Sequence, residues 1–183
     1  MSQTNELEIM ERIALDLEGV EESLASSFNT GAEDFNALIR PLSAAGGKRL
    51  RAQLCLLIAN AGTSVERQRI RIAEAVEMLH LATLIHDDVL DQAEIRRGEE
   101  TIHMHKGNKV AILSGDYLFA KAFQIVSEMP NMKYLQIFSH IITCLVEGEF
   151  MQMEDVYRID QGIERYMTCL LYTSPSPRDS TSS

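Results

Sequence analysis

The sequence predicts an all-α protein, and three observations support that fold class. Apolar residues recur every three or four positions over most of the chain, which is the period of one helix face. No segment alternates apolar and polar residues as a half-buried strand would, and the chain has no internal repeat. The 183 residues include only 10 glycines and 4 prolines, too few for a loop-rich β-sandwich.

Two helices are predicted before residue 45. The apolar face of the first is formed by residues at helical spacing, namely Ile9, Ile13, Leu17, Val20 and Leu24. This helix is expected to end near Asn29-Thr30-Gly31, because asparagine and glycine are common just past a helix end. The second helix is short, runs from about Phe35 to Leu42, and has Pro41 near its end.

Four more helices are predicted after the glycine pair at residues 46–47. An apolar segment rich in alanine and leucine, from Leu50 to Ala61, is predicted to be a buried helix. A long helix follows and stays apolar as far as His86, and a charged loop over residues 94–108 comes after it. The last two helices are predicted over Val110–Glu128 and Asn131–Val156.

The charge balance limits the classes of partner. There are 27 acidic and 17 basic residues, which gives a formal net charge of −10. Binding to nucleic acid or to an anionic membrane rests on basic surface, so neither is expected. The chain shows no signal peptide and no uncharged apolar run of about 18 residues, and its three separated cysteines fit reduced thiols. A cytoplasmic protein is predicted.

Residues 170–183 differ in composition from the rest of the chain. Serine, threonine and proline dominate from Thr173 onwards, and the helical pattern stops abruptly near Cys169. One interpretation is a disordered tail, which is common at chain ends. The interpretation that we favour is a non-native segment, because the helix pattern is cut off rather than capped.

The chemistry of the chain concentrates in an aspartate cluster inside the long helix. Asp87 and Asp91 are four residues apart and therefore share a face, with Asp88 between them and His80 two turns earlier. A solvated helix end would also explain single acids, but three in five residues after an apolar turn favour a functional site. Two carboxylates one turn apart are suitable ligands for Mg²⁺, which keeps waters and reaches substrate phosphates.

Two basic motifs complement the aspartates. Lys48 and Arg51 are three residues apart and are expected to share a face at the start of a helix, where they could grip a phosphate group. Arg96 and Arg97 follow the aspartates by five residues. Each pair alone is typical of solvated surface, but together they indicate an anionic, metal-bridged ligand. A bound Mg²⁺ would let an acidic protein hold a diphosphate.

At this level of detail the chain resembles the trans-isoprenyl diphosphate synthase, or polyprenyl synthetase, family. The resemblance rests on motifs in the family's order, which are Gly46-Gly47-Lys48-Arg49-Leu50-Arg51, His80, Asp87-Asp88-x-x-Asp91, Arg96-Arg97-Gly98, Gly107-Asn108-Lys109, Gly115-Asp116 and Gly148-Glu149-x-x-Gln152. It covers roughly residues 41–167. The resemblance implies a helical bundle of the isoprenoid-synthase type around a deep cavity, and a prenyltransferase activity.

The resemblance also implies a role for each motif. Asp87 and Asp91 would hold Mg²⁺ on the diphosphate of an allylic substrate, and Asp88 would support them. The same allylic diphosphate would be contacted by Arg96 and Gln152. The diphosphate of isopentenyl diphosphate would be bound by four basic residues, namely Lys48, Arg51, His80 and Arg97. The expected partners are these two substrates and a second subunit, which is either identical or a small accessory chain.

Product length is expected to depend on the turn before the first aspartate. In the family, bulky aromatic residues four or five positions before that aspartate close the cavity and stop elongation. Here these positions are Thr83 and Ala82, both small, so a product longer than geranylgeranyl is predicted, such as a quinone side chain. Small residues at these positions would also permit close helix packing.

The resemblance predicts that residues 1–169 are the N-terminal part of a larger synthetase domain. The family's second aspartate-rich motif and its Lys-Thr pair are absent from the sequence, so the chain alone is expected to be inactive and poorly stable. One alternative is an HD-type metal-dependent phosphohydrolase built on His80, His86, Asp87 and Asp116. It leaves both basic motifs unexplained. Another alternative is the non-catalytic subunit of a heterodimeric synthase, which would be expected to lack the aspartates.

Overall fold

The computed structural model describes residues 3–28, 33–44, 48–62, 65–155 and 162–173. These residues are almost entirely helical, which confirms the predicted all-α class. The helices are α1 (Gln3–Ser27), α2 (Glu33–Ala44), α3 (Leu50–Asn60), α4 (Glu66–Leu90), α5 (Ile102–Lys106), α6 (Asn108–Ser127), α7 (Met132–Asp155) and α8 (Ile163–Thr173). A small antiparallel hairpin of β1 (Ile95–Arg96) and β2 (Glu99–Glu100) lies between α4 and α5.

The chain divides into two compact units, over residues 1–129 and 130–183. In the first unit α4 is the central helix, and α1, α3 and α6 pack against it. The interior is filled by fully buried apolar side chains from each of these helices, including Val20, Leu24, Leu56, Met78 and Leu118. Burial of such side chains stabilises the fold by roughly 1.5–3 kcal/mol each.

Buried polar contacts tie α1 to α4. The Asp16 carboxylate on α1 accepts hydrogen bonds from Arg69 Nε at 3.0 Å and Arg69 Nη2 at 3.2 Å, and both side chains are buried. Glu74 on α4 is fully buried and accepts hydrogen bonds from the hydroxyls of Ser23 and Ser27, each at 2.7 Å. Removing one member of such a buried pair leaves an uncompensated polar group, so these contacts fix how α1 lies on α4.

The contact between α4 and α6 depends on small residues. The buried face of α6 carries Ala111, Ser114, Gly115 and Ala122 at helical spacing, which allows close approach of the two helices. At Gly115 a Cβ atom would overlap the imidazole ring of His86. That ring lies against α6, with Nε2 3.1 Å from the carbonyl oxygen of Ile112.

Two sequence-based predictions in the first unit need correction. The helix over Leu50–Asn60 forms, but it is not buried, because Leu50, Leu54, Leu57 and Ile58 are all exposed. The period of apolar residues identifies a helix, whereas burial depends on what packs against it. The predicted loop over residues 94–108 also contains regular structure, namely the hairpin and α5.

Helix α6 is the one described helix that is long and apolar enough to cross a membrane by length and composition. The sequence predicted no uncharged apolar run of this length, and Lys109, Asp116 and Lys121 do interrupt the apolar residues of α6. The structure accounts for the apolar composition of α6 by its packing on α4, where seven of its residues are buried.

The second unit pairs α7 with α8. Arg165 on α8 donates to the Asp155 carboxylate at 2.9 Å and lies 3.4 Å from Glu154. These two contacts join α8 to the end of α7. Helix α8 was not predicted as a separate element, and it continues to Thr173, past the boundary at residue 169 that the sequence suggested. Residues 174–183 lie outside the described part of the chain, so the predicted nature of that tail stays a prediction.

We expect the Gly115→Ala variant to unfold with a free energy about 1 kcal/mol lower than the original chain. The added methyl group must displace the His86 ring, and this overpacking costs more than the roughly 1 kcal/mol that alanine gains over glycine in a helix. Chemical denaturation followed by circular dichroism measures the difference. The Gly62→Ala variant is the control, since its Cβ would meet only the Ala59 carbonyl oxygen at 3.7 Å. Equal stability of both variants would contradict the packing shown here.

Candidate functional site

The aspartate cluster lies at the C-terminal end of α4. Asp87 and Asp88 belong to the last turn, and Asp91 caps the helix through its backbone N–H, which donates to the Asp87 carbonyl oxygen at 2.8 Å. Asp88 is buried and Asp91 is exposed, while Asp87 is half-buried. The cluster thus spans the boundary between protein interior and solvent, where a ligand can reach it.

The three carboxylates have different surroundings. Asp88 Oδ1 accepts a hydrogen bond from Arg96 Nε at 2.7 Å, a charge-assisted contact. The pKa of Asp87 is raised above its ordinary value, first because burial removes water from the carboxylate and then because Asp91 repels a second negative charge. A bound cation would relieve both effects.

The donor set fits a hard divalent cation. Asp87 and Asp91 offer carboxylate oxygens one helical turn apart, which is the ligand chemistry that Mg²⁺ takes in proteins, with water and substrate oxygens completing its shell. Within the described ranges no group of three or more histidine, cysteine, aspartate or glutamate side chains converges on one point. Because the Asp88 carboxylate is bonded to Arg96, Asp87 and Asp91 are the carboxylates of the cluster that are left for a cation. They would supply only part of its coordination shell.

The motif Arg96-Arg97-Gly98 forms the turn of the hairpin. Arg96 pairs with Glu99 across the two strands, and Arg97 and Gly98 are the two central residues, with φ of 54° and 86°. Positive φ at both positions is the pattern of a type I′ turn, which favours asparagine and glycine and disfavours arginine. A residue kept in an unfavourable backbone conformation often has a functional role. The residue in this turn is the cation Arg97, which fits a role in binding an anion.

Several arginines act on His80, which lies two turns before Asp87 on α4. Arg51 Nη1 is 3.1 Å from His80 Nε2. The pKa of His80 is lowered to about 4, first by burial and then by the positive charges of Arg51, Arg97, Arg96 and Arg49. His80 is consequently neutral at neutral pH and accepts from Arg51 through Nε2. Three of the four residues predicted to bind one diphosphate, Arg51, His80 and Arg97, thus belong to one electrostatic cluster.

The prediction that Lys48 and Arg51 share a helix face is wrong. Helix α3 begins at Leu50, so Lys48 lies in the segment before the helix and has an exposed side chain. Its carbonyl oxygen accepts a hydrogen bond from Gln53 Nε2 at 2.5 Å, which orients this segment. Of the two residues between them, Arg49 was not predicted as a site residue, yet it is buried with φ of 45°. Its place in the basic motif, two residues after the glycine pair, was the available signal.

A cavity of about 620 Å³ adjoins Asp88 in the first unit. Its lining includes Leu81, Leu84 and Ile85 of α4 together with Arg96 and Arg97 of the hairpin. Asp87, Arg51 and His80 are not among its lining residues. The two hairpin arginines thus border this cavity and also lower the pKa of His80.

The remaining predicted residues lie in different environments. Ala82 is fully buried, so it does not line the open cavity. Thr83 is half-buried, and its hydroxyl donates to the His80 carbonyl oxygen at 2.8 Å. Gln152 is exposed on α7 in the second unit. No described contact tests their predicted roles in chain length and substrate binding.

The ligands proposed for a phosphohydrolase are not gathered into a metal centre. His86 Nε2 lies 3.5 Å from Asp116 Oδ1 and faces α6. Its neighbour Asp87 faces a different side of α4, toward Asp91 and Arg96. Among the residues that the structure describes, no third ligand joins the His86–Asp116 pair.

Comparison with known proteins places the chain among prenyl synthases. The family model described as Polyprenyl synthetase matches residues 32–174. The octaprenyl diphosphate synthase of Escherichia coli is 33% identical over 159 residues, and the match covers 87% of this chain and 49% of the relative. The heptaprenyl diphosphate synthase component 2 of Geobacillus stearothermophilus is 37% identical, with 83% of this chain and 48% of the relative covered.

The fold of a solved relative agrees with these sequence matches. A polyprenyl synthase from Caulobacter crescentus, in a structure described as complexed with calcium and isoprenyl diphosphate, superposes with a TM-score of 0.83 at 32% identity. The match covers 89% of this chain and 51% of that one. The chain spans about half the length of the relatives that it matches.

The lowered pKa of His80 predicts a pH dependence of stability. The unfolded chain has His80 near its ordinary pKa of 6.5 and the folded chain near 4, so between these values the unfolded state binds more protons. The contribution of His80 is therefore present above pH 6.5 and is lost as the pH falls toward 4. The free energy of unfolding should fall less between pH 7 and pH 5 in the His80→Gln variant. The exposed His105 provides the control, since the His105→Gln variant should keep the original difference.

Proposed function

This chain belongs to the polyprenyl synthetase family, and we propose that the whole protein is a trans-polyprenyl diphosphate synthase. It would condense isopentenyl diphosphate with an allylic diphosphate to make a long prenyl diphosphate. The observation that carries the proposal is that Arg96 links the two groups of residues. Its charge acts on neutral His80 together with the charges of Arg51 and Arg97, and its side chain bonds Asp88 in the aspartate cluster. An anion-binding patch and a cation-binding pair side by side suit two diphosphates, one of them bridged by a metal ion.

Asp87 and Asp91 are proposed to hold Mg²⁺ against the allylic diphosphate. Their oxygen donors and mutual repulsion support this assignment, and the Caulobacter relative is described with calcium, another divalent cation, and isoprenyl diphosphate. Mg²⁺ bound there would neutralise charge on the departing diphosphate. Asp88 would act differently, because its hydrogen bond to Arg96 orients that arginine.

The basic residues divide into two proposed groups. Arg96 would contact the allylic diphosphate, together with Gln152. Lys48, Arg51, His80 and Arg97 would bind isopentenyl diphosphate, and the exposure of Lys48, Arg51 and Arg97 leaves them accessible to it. Neutral His80 would donate through its second ring nitrogen, since Nε2 is engaged by Arg51.

The proposed reaction needs an electrophile, a nucleophile and a base. The allylic carbon–oxygen bond breaks and the diphosphate leaves with the electron pair, which gives an allylic cation. The double bond of isopentenyl diphosphate attacks that cation, and a proton is then lost to the released diphosphate. The guanidinium of Arg96 would stabilise the leaving group, since charge develops on its oxygens as the bond breaks.

The product is proposed to be longer than geranylgeranyl diphosphate, with Thr83 and Ala82 leaving room for the growing chain. The octaprenyl and heptaprenyl names of two relatives support a long product. Residues 1–169 are proposed to be the N-terminal part of the synthetase domain, consistent with a match to about half of each relative. The second aspartate-rich motif would then lie in the remaining part, and the chain alone would be inactive.

Assembly with a second subunit is proposed, either as a homodimer or with an accessory chain. One relative is named as component 2 of a heptaprenyl diphosphate synthase, which supports an assembly of more than one component. In the first unit Ile112 and Leu113 are exposed on α6, which gives that helix an apolar surface available to a partner. The cytoplasmic location stays a prediction.

Replacing Asp87 with alanine in the whole protein should lower turnover by several orders of magnitude. The variant loses one of two carboxylates that would hold Mg²⁺ on the allylic diphosphate, and α4 should still fold because the Asp87 side chain is only half-buried. The measurement is incorporation of labelled isopentenyl diphosphate with farnesyl diphosphate and Mg²⁺.

A matched control removes a carboxylate at the other end of the same helix. Glu66 is exposed in the first turn of α4, so Glu66→Ala should keep the original turnover. Full turnover by Asp87→Ala would contradict the assignment. Release of phosphate from nucleotides without isopentenyl diphosphate would favour the phosphohydrolase instead.

Replacing Thr83 with phenylalanine should shorten the product of the whole protein. The larger side chain, one turn before Asp87, would occupy space proposed for the growing prenyl chain. Chromatography of the dephosphorylated products measures chain length. Val65→Phe, at an exposed position before α4, adds the same side chain elsewhere and should leave the product distribution unchanged. An unaltered distribution from Thr83→Phe would show that Thr83 does not border the growing chain.

A further inference from the structure

Helix α3 begins without a cap of its own. The N-cap residue is Arg49, whose side chain makes no capping hydrogen bond and whose backbone has φ of 45°. The first backbone N–H groups of a helix need acceptors, and a non-glycine residue in the left-handed region is held there at a cost of about 1–3 kcal/mol. Contacts from outside α3 must therefore stabilise its start.

Glu77 on α4 supplies the missing cap. Its Oε1 accepts a hydrogen bond from the backbone N–H of Ala52 at 3.0 Å, in the first turn of α3. The Glu77 side chain is buried, with an exposed fraction of 4%. A carboxylate at this place is also favoured by the partial positive charge of the helix N-terminus.

Arg49 closes the contact from the other side. Its Nη1 lies 3.4 Å from Glu77 Oε2, and its Nε and Nη2 donate to the two carboxylate oxygens of Glu21 at 2.6 and 3.1 Å. Glu21 belongs to α1 and Glu77 to α4, so one buried guanidinium joins three parts of the first unit. The pKa of Arg49 stays raised despite its burial, because both carboxylates favour its charged form.

These contacts fix two segments that carry diphosphate-binding residues. Lys48 and Arg51 lie on either side of Arg49 along the chain, and His80 follows Glu77 by three residues on α4. Holding the start of α3 against Glu77 therefore sets the 3.1 Å contact between Arg51 and His80. Glu77 also places a negative charge beside Arg49. This charge offsets part of the repulsion between Arg49 and the neighbouring cations before any anion binds.

We propose that Glu77, acting with Arg49, is a positioning residue for the diphosphate of isopentenyl diphosphate, because it holds the start of α3 beside His80. The proposal rests on the proposed function of that site. Neither side chain touches the substrate in this role. Their effect is to keep Lys48 and Arg51 in place before the ligand arrives, which lowers the ordering cost of binding.

The first test compares diphosphate binding by variants of two buried glutamates on α4. The probe is inorganic diphosphate, titrated calorimetrically into the chain at pH 7. Glu77→Ala should weaken binding about tenfold or more, and Glu77→Gln less, since the amide oxygen can still accept from Ala52. Glu74→Ala is the matched control, because Glu74 is equally buried but contacts Ser23, Ser27 and Arg71 rather than α3. It should lower the melting temperature and leave the dissociation constant within about twofold.

The second test does not depend on ligand binding. The pKa of His80, about 4 in the original chain, should rise toward 6.5 in Glu77→Ala when followed by NMR, because Arg51 is no longer held beside it. Burial, which is the largest cause of the lowered pKa, remains in the variant, as do the charges of Arg96 and Arg97, so the rise is limited. Glu74→Ala should leave the His80 pKa unchanged.

The outcomes separate the two proposals. If the original chain fails to bind diphosphate while the His80 pKa still responds to Glu77→Ala, the proposed diphosphate site is contradicted, and only the structural link from Glu77 to His80 stands. If both glutamate variants weaken binding in proportion to their loss of stability and neither moves the His80 pKa, Glu77 is only structural. If Glu77→Ala does not fold, Glu77→Gln decides by the same two measurements, with an unchanged affinity and His80 pKa overturning the proposal.

Discussion

The first unit depends on one constraint, which is that α4 buries three carboxylates along one face. Glu74, Glu77 and Asp88 lie at helical spacing on this face, and each is almost fully buried. A buried carboxylate without a partner would cost several kcal/mol, so each must be paired. Each has an arginine within salt-bridge distance, and the three arginines are Arg71, Arg49 and Arg96.

These pairings determine where neighbouring elements can lie. Glu74 accepts hydrogen bonds from serine hydroxyls of α1. Glu77 accepts one from a backbone N–H in the first turn of α3, and Asp88 accepts one from the arginine side chain of β1. The elements that carry the basic motifs are therefore attached to α4 through buried charge, and the residues proposed to bind diphosphate lie next to those attachments. Folding and assembly of the candidate site are consequently the same event in this part of the molecule.

The sequence predicted most of the helices, because a helix that is buried on one face has apolar residues recurring about every 3.6 positions. It also singled out Asp87 and Asp91, since three acids within five residues are rare on an apolar helix, and the roles of these residues stay predictions. It did not predict Glu77 or Arg49, because a charged residue that is buried and paired looks like a surface residue in the sequence. The exposed face of α3 was missed for the related reason that periodicity cannot identify what a helix packs against. The backbone conformation of Arg97 likewise depends on the tight turn that the hairpin requires.

The pairing of buried charges also explains how a chain of net charge −10 can present a cationic surface. Part of the acidic excess near the site is paired with arginine, since the exposed Glu21 and the buried Glu77 contact Arg49 and the buried Asp88 contacts Arg96. Lys48, Arg51 and Arg97 remain exposed on the outer side of this layer. Near the site the positions of individual charges matter more than the net charge of the chain, because salt screens the field of acidic residues that lie more than about 10 Å away. These exposed cations are the charges that the proposed diphosphate would contact, whereas Asp87 and Asp91 would need a bound cation before they could contribute to anion binding.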